Sequence, residues 1–280
     1  MAGVSAIALA GCNTSGGGFN GNANAILGSG QVTSGNVASV SSAATDSNTS
    51  ALVSFDDNGT PTVGTDDSIT VSVNGGGAVA GPTKYVLDST ASLLGSTATT
   101  NLSNEGFAVL KTATPSNSIL VASVGDYGFA GFVGANDSTT GVGNIATAYG
   151  SVEGVGPTGT VPIGSVGYTG GAAEVVQTVG STPSYIAGTS SISANFTSGA
   201  VTGTMDFSGT ADDVGFTGTM NSSKATYSSS AVTLGGVTGT GQLQGGFFGP
   251  DYVETDGSFD VGNTAGTTKV TGAFHGSVAP

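Results

Sequence analysis

The chain has 280 residues, of which 50 are glycine, and its 18 acidic residues face four lysines and no arginine, so the formal net charge is −14. This balance excludes recognition of nucleic acid phosphates and argues against electrostatic attachment to anionic lipids, because no basic patch can be assembled. The glycines lack the three-residue period of collagen, and an apolar content of 37% argues against simple disorder.

The only cysteine of the chain, Cys12, follows a short run of small apolar residues. The tetrapeptide Leu9-Ala10-Gly11-Cys12 matches the bacterial lipobox, in which a signal peptidase cleaves before a cysteine whose sulfur carries diacylglycerol. Glycine and serine are frequent just after it, as in a flexible tether. We therefore predict a lipoprotein signal peptide in residues 1–12, lipid attachment and the mature N-terminus at Cys12, and a tether over residues 13–30. The alternative is an ordinary buried or frayed cysteine near a terminus.

Residues 31–143 contain short runs of β-branched and aromatic residues between polar, glycine-rich spacers, which is typical of strands. Lys84–Leu94 and Asn104–Lys111 are predicted as short helices. The stretch GANDSTTGVG, residues 134–143, is rich in turn-forming residues and predicts a domain boundary. We therefore expect a mostly-β domain over residues 31–143 and a second domain over residues 144–280.

The second domain shows strict alternation of apolar and polar residues, which places every second side chain on one face of a strand. Brief turn clusters separate these segments, with no helical pattern between them, so the sequence predicts an antiparallel meander or barrel. Glycine recurs at inward positions, where it permits sharp coiling of a small closed barrel. The predicted inward positions include Ile192, Ala194, Phe196; Val201, Gly203, Met205, Phe207; Val214, Phe216, Gly218, Met220; Val237, Gly239, Gly241, Leu243; Phe259, Val261; and Val270, Gly272, Phe274.

Four stretches of the second domain resemble the barrel domain of the transferrin-binding protein B family. A preceding segment, Gly125-Asp-Tyr127-Gly-Phe129, is similar to the part of those proteins that leads into the barrel. The four stretches are Ala148-Tyr149-Gly150, Pro162-Ile-Gly164-Ser-Val-Gly-Tyr168-Thr-Gly170, Gly245-Gly-Phe-Phe-Gly-Pro250 with Glu254 and Gly257-Ser-Phe259, and Val270-Thr-Gly-Ala-Phe274.

The resemblance implies an all-β fold with a C-terminal eight-stranded antiparallel β-barrel, residues 144–280, preceded by a smaller, mostly-β handle domain, residues 31–143. Its members are bacterial surface lipoproteins that bind host iron proteins, haem proteins or complement regulators. The resemblance carries over no ligand-contacting residue, so cofactor-binding residues stay unknown.

Few side chains in the sequence indicate a catalytic, metal-binding or cofactor-binding site. His275, the only histidine, has the parity that points out of the barrel, and we interpret it as a surface histidine, with haem ligation as the alternative. Asp56-Asp57-Asn58-Gly59 with Asp66-Asp67 fits either a hairpin turn or a calcium site. The tyrosines that could also ligate haem iron are more typical of strand aromatics: Tyr127, Tyr149, Tyr168, Tyr185 and Tyr252. We expect no catalytic residue, no metal site and no cofactor, with haem and calcium as the alternatives.

The sequence therefore predicts a non-enzymatic lipoprotein of the bacterial outer membrane, lipid-anchored and displayed at the cell surface. It would bind a host or environmental ligand, such as a protein or a haem-containing molecule in iron or haem acquisition. Its expected partners are the membrane, through the N-terminal lipid, and surface-lipoprotein export machinery, with no nucleic acid. The alternative is a structural or adhesive acidic surface protein without a nutrient-binding role.

Overall fold

The computed structural model describes residues 20–33, 36–44, 50–56, 68–74, 81–86, 92–93, 108–112, 118–125, 127–136, 142–151, 156–208 and 212–278. The regular elements in these ranges are all β-strands, so the predicted all-β fold class is confirmed. None of the described segments is a helix long and apolar enough to cross a membrane.

Ten strands form an N-terminal antiparallel sheet. They are β1 (Asn20–Thr33), β2 (Asn36–Ala44), β3 (Ser50–Asp56), β4 (Ser68–Asn74), β5 (Gly81–Val86), β6 (Ser92–Leu93), β7 (Ala108–Thr112), β8 (Ser118–Val124), β9 (Gly128–Asn136) and β10 (Val142–Ser151). The order is β10-β9-β8-β7-β5-β4-β3-β1-β2, with β6 on β7, and a further β10–β1 pairing joins the two sides of the sheet.

Nine strands form the C-terminal sheet. They are β11 (Ser165–Thr178), β12 (Ser184–Asn195), β13 (Ala200–Asp206), β14 (Val214–Met220), β15 (Thr226–Leu234), β16 (Val237–Thr238), β17 (Thr240–Phe248), β18 (Glu254–Gly262) and β19 (Thr268–Val278). The order is β14-β13-β12-β11-β19-β18-β17-β15-β16, and β14 also pairs with β15. The β14–β15 pairing closes the sheet into an antiparallel barrel of eight strands, not counting the two-residue β16. The eight-stranded barrel was predicted from the sequence.

Two predicted helices and two predicted boundaries differ from the observed strands. The described parts of the two predicted helices lie in β5, β6 and β7, so the helix prediction is wrong there; sheet pairing has overridden weak local propensity. Strand β1 begins at Asn20, within the predicted tether, because its backbone pairs with β3 and β10. Strand β10 crosses the predicted boundary at residues 143 and 144, and the barrel itself starts with β11 at Ser165.

The barrel interior is filled by side chains from the alternating positions. Phe247 packs against three other rings, with ring centroids 4.9 Å from Phe196, 5.1 Å from Tyr227 and 5.6 Å from Tyr168. Interdigitated aromatic and aliphatic side chains leave the barrel as a packed core rather than an open channel. The core includes Tyr168, Ile192, Phe196, Val201, Met205, Phe207, Val214, Phe216, Tyr227, Val232, Leu243, Phe247, Tyr252, Phe259, Val261, Val270 and Phe274.

The N-terminal sheet packs against one side of the barrel, chiefly through contacts of β9 and β10 with β18 and β19. All nine residues of β18 are buried, which requires cover on both faces of that strand. One face points into the barrel and the other points at the N-terminal sheet. A second apolar cluster fills this junction: Val121, Ala130, Phe132, Tyr149, Ala173, Val175, Phe248 and Ala273.

The FFGP stretch links the barrel core to this junction. Phe247 points into the barrel, and its neighbour Phe248 points into the junction. Gly249 then turns the chain at φ +76°, a conformation that a residue with a Cβ rarely adopts. A Cβ on Gly249 would also lie 2.6 Å from the ring of Tyr127, so this glycine serves both the turn and the packing.

Candidate functional site

The most unusual polar cluster lies on the outer face of β18 and β19, beneath the turn between β8 and β9. It consists of Glu254, Asp256 and His275, hereafter the junction triad, and all three are buried. Asp256 and His275 are direct cross-strand partners, and Glu254 lies two residues before Asp256 on the same face. Strand alternation therefore brings the three side chains together.

His275 Nδ1 lies 2.9 Å from Asp256 Oδ1. Glu254 Oε2 accepts hydrogen bonds from the backbone N–H groups of Tyr127 at 2.9 Å and Gly128 at 3.0 Å. Glu254 thus fastens the start of β9 to the barrel wall.

The second oxygen of Asp256, Oδ2, is buried and has no hydrogen-bond partner. Burial raises the pKa of Asp256 above its ordinary value, and the facing imidazole of His275 partly offsets that rise. A Cβ on Gly128 would lie 1.7 Å from Asp256 Oδ2. Only glycine therefore lets the backbone of β9 approach this carboxylate.

A second ion pair lies further along the same face of β18 and β19. Lys269 Nζ is 2.7 Å from Asp260 Oδ2, and the two side chains are 1% and 0% exposed. Thr271 Oγ1 donates to the same oxygen at 2.8 Å. The junction therefore contains opposite charges that are paired with each other and shielded from water.

Glu174 is a buried acid of a different kind, because it points into the barrel. Its cross-strand partner on β19 is Gly272, and neither carboxyl oxygen has a hydrogen-bond partner. Burial, followed by the charges of Asp212 and Asp213, raises the pKa of Glu174 to about 9. This group therefore holds a proton at neutral pH.

The barrel wall away from the N-terminal sheet presents uncharged hydroxyl groups. Cross-strand pairing aligns Ser193, Thr202 and Thr217 in one row across β12, β13 and β14. Ser191 pairs with Thr204 in the row beside it. These five side chains are exposed. This surface, the hydroxyl face, contrasts with the strongly acidic composition of the whole chain.

The structure corrects the interpretation of His275. Its predicted outward direction is right, because Phe274 fills the barrel and His275 lies on the opposite face. The prediction of a surface histidine is wrong, because the side chain is 2% exposed. The N-terminal sheet covers it, and a strand pattern alone does not reveal what packs on an outer face.

The other predicted site residues fall in several places. Cys12, Asp57 and the Asp66-Asp67 pair lie outside the described residues, and so does the calcium alternative. Tyr149 lies in the junction cluster, and Tyr127 packs at its edge. Tyr168 and Tyr252 lie in the barrel core, where the Tyr168 hydroxyl donates to the Tyr252 carbonyl at 2.8 Å. Tyr185 on β12 is 37% exposed and stacks on Phe132 with ring centroids 6.3 Å apart.

Sequence reasoning missed the junction triad, although a signal for it exists. Glu254, Asp256 and Asp260 alternate with inward residues on one strand, and Lys269 and His275 alternate on the next. Opposite charges on neighbouring strands stabilise their pairing. This charge pattern on the outer face could therefore have indicated that Asp256 faces His275 and that another part of the chain covers them.

No family model matches the sequence, and no curated protein is a significant sequence match. Among solved structures, the chain is similar to a double mutant of transferrin-binding protein B from Haemophilus parasuis, at 11% identity and a TM-score of 0.42 over 94% of this chain and 76% of that one. It is also similar to isotype 1 transferrin-binding protein B from serogroup B Neisseria meningitidis, at 10% identity and a TM-score of 0.31 over 94% and 77%. A candidate outer membrane protein from Bacteroides fragilis gives 14% identity and a TM-score of 0.28 over 94% and 97%. Similarities of this size assign no family.

Proposed function

We propose that this chain is a non-enzymatic lipoprotein of the bacterial cell surface, anchored through Cys12, that binds its ligand with its exterior. The observation that carries the proposal is the filled barrel. Side chains such as Phe247, Phe259 and Phe274, all 0% exposed, occupy the interior. A ligand would therefore contact the outer surface, on a scaffold held rigid by the core.

The finer proposal concerns the ligand, which we infer to be an iron- or haem-carrying protein. It rests on the sequence resemblance carried by the FFGP block and the closing strand Val270–Phe274. It also agrees with the lipobox, since a surface receptor for a large ligand has to be held outside the cell.

Binding of defined probes tests this function. The full chain, purified from membranes in detergent, is immobilised and exposed to haem, haemoglobin and transferrin in separate biosensor channels. We expect saturable binding to one of the three. No binding to any probe, together with no shift in haem absorbance, would contradict a role in iron or haem acquisition.

Anchoring is tested separately, so that its failure is not confused with a failure to bind. Cells expressing the chain are labelled with an alkyne fatty acid, and we expect label on the wild type and on the Ser15→Ala variant. The Cys12→Ser variant should carry none. Equal labelling of all three proteins would contradict anchoring at Cys12.

The hydroxyl face favours a second candidate function, a structural or adhesive role. Exposed serine and threonine rows offer hydrogen-bond donors and acceptors without charge, which suits contact with uncharged polymers. Deleting the gene should then change cell aggregation or attachment while leaving growth on haem or protein-bound iron unchanged. Impaired growth on those iron sources would instead favour the first candidate.

A further inference from the structure

The junction triad combines three groups that ligate metals. Glu254, Asp256 and His275 each offer a ligand atom, and these atoms lie within 4.8 Å of one another. Metal–nitrogen and metal–oxygen bonds of about 2.0–2.2 Å in a tetrahedron place neighbouring ligand atoms roughly 3.4 Å apart. His275 Nδ1 and Asp256 Oδ1, now 2.9 Å apart as a hydrogen-bonded pair, would reach that spacing by a shift of about 0.5 Å when the metal replaces the shared proton.

One further feature points to a ligand at this place. Asp256 Oδ2 is buried without a partner, which costs free energy in a site from which water is excluded. The backbone approaches the triad closely on one side, since a Cβ on Gly125 would lie 2.7 Å from both Glu254 Oε2 and His275 Cε1. An ion would therefore sit between the three side chains rather than beside them.

The donor set selects the class of metal. Two carboxylates and one imidazole suit zinc and its neighbours in the first transition series. Calcium and magnesium prefer oxygen donors alone, so the imidazole disfavours them. Three protein ligands leave one tetrahedral position for a water molecule or a further ligand, and the burial of all three side chains keeps that position away from bulk solvent.

We propose that Glu254, Asp256 and His275 bind one divalent transition-metal ion of the zinc class at the junction between the N-terminal sheet and the barrel. The ion adds a bridge between β18 and β19, and Glu254 extends that bridge to the backbone of Tyr127 and Gly128. Bound metal therefore fixes the side chain through which the barrel holds the start of β9. This proposal is independent of the ligand and of the anchor proposed above.

The direct test measures metal content and stability of the full chain. The purified protein is stripped with a chelator, dialysed against zinc, and analysed by elemental mass spectrometry. We expect one zinc per chain and a midpoint of thermal unfolding raised by about 5–10 °C at a hundredfold excess of zinc over Kd. Loading with cobalt should give visible d–d absorption from a site with nitrogen and oxygen donors.

Variants separate a specific site from loose binding by an acidic surface. Asp256→Asn and His275→Gln should each lose the stoichiometric zinc, the cobalt absorption and the thermal shift. Glu174→Gln, which removes a buried carboxyl inside the barrel, should retain all three. Wild-type protein that binds no zinc and gives no shift would overturn the proposal. Zinc content unchanged in the Asp256 and His275 variants would also overturn it, by showing adventitious binding elsewhere.

Discussion

The two sides of the barrel wall follow the same strand alternation and carry opposite surface chemistry. On β18 and β19, outward residues such as Asp260 and Lys269 carry charge and are buried. On β12, β13 and β14, the outward residues are hydroxyl-bearing and exposed, as with Thr202 and Thr204. The comparison shows that periodicity fixes the direction of a side chain, whereas a second sheet decides whether that side chain meets water.

Breaking the buried ion pair of Asp260 and Lys269 should lower the free energy of unfolding more than any change on the hydroxyl face. Asp260→Asn leaves the Lys269 ammonium buried without its counter-charge, and we expect a loss of about 3–5 kcal/mol in the free energy of unfolding. The double variant Asp260→Leu with Lys269→Met removes both charges and should recover most of that loss. Urea unfolding measures both values. A single variant within about 0.5 kcal/mol of wild type would contradict burial of the pair.

Gly128 tests how closely the two sheets approach. Gly128→Ala places a Cβ 1.7 Å from Asp256 Oδ2, so the backbone of β9 has to move. We expect a loss of about 1–3 kcal/mol, as in other overpacked sites. Gly167→Ala is the matched control, because nothing lies within 4 Å of its Cβ, and it should be neutral or slightly stabilising. Equal unfolding midpoints for the two variants would argue against a tight junction at Gly128.

Glu174 is a buried acid without a hydrogen-bond partner, in contrast to Asp260, which is paired with Lys269. Its pKa rises from 4.5 in the unfolded chain to about 9 in the folded one, so the folded state binds the proton more tightly. The contribution of Glu174 to stability is therefore complete below about pH 4.5 and is lost as the pH rises towards 9.

Glu174→Gln removes this dependence. Relative to wild type, the variant should gain about 1–3 kcal/mol of unfolding free energy between pH 5 and pH 8. Urea unfolding at the two pH values, with both proteins in the same buffers, gives the difference directly. Parallel pH profiles for the two proteins would be inconsistent with a protonated, buried Glu174.

The hydroxyl face should give the smallest effect. Thr202→Ala and Thr217→Ala remove exposed side chains that contact mainly water, so each should change the free energy of unfolding by less than about 0.5 kcal/mol. The same two variants test the adhesive alternative, since attachment should weaken while the melting temperature stays unchanged. A loss of several degrees in either variant would show that another element covers this face.

Much of the barrel could be predicted from the sequence, because inward and outward residues alternate along most strands. The prediction is wrong at Val237, which lies in the two-residue β16 and is 67% exposed, because the pattern does not reveal the turn that ends β15 there. Val201, Met205, Phe216 and Phe274 all lie in the core, as the pattern predicts. The junction could not be predicted in this way, since it depends on contacts between residues more than 120 positions apart, such as Gly128 and Glu254. His275 illustrates the limit: its direction was predictable, and its burial was not.

The burial of one barrel face by the N-terminal sheet can be measured most directly with single cysteines in a Cys12→Ser background. Ser258→Cys lies on the junction side, where the native side chain is fully buried, and Thr204→Cys lies on the hydroxyl face. We expect a maleimide to label the Thr204 variant at the rate of a free thiol, and the Ser258 variant at least about 100-fold more slowly, because labelling there waits for local opening. Equal labelling rates in the native protein would contradict the junction on which this account rests.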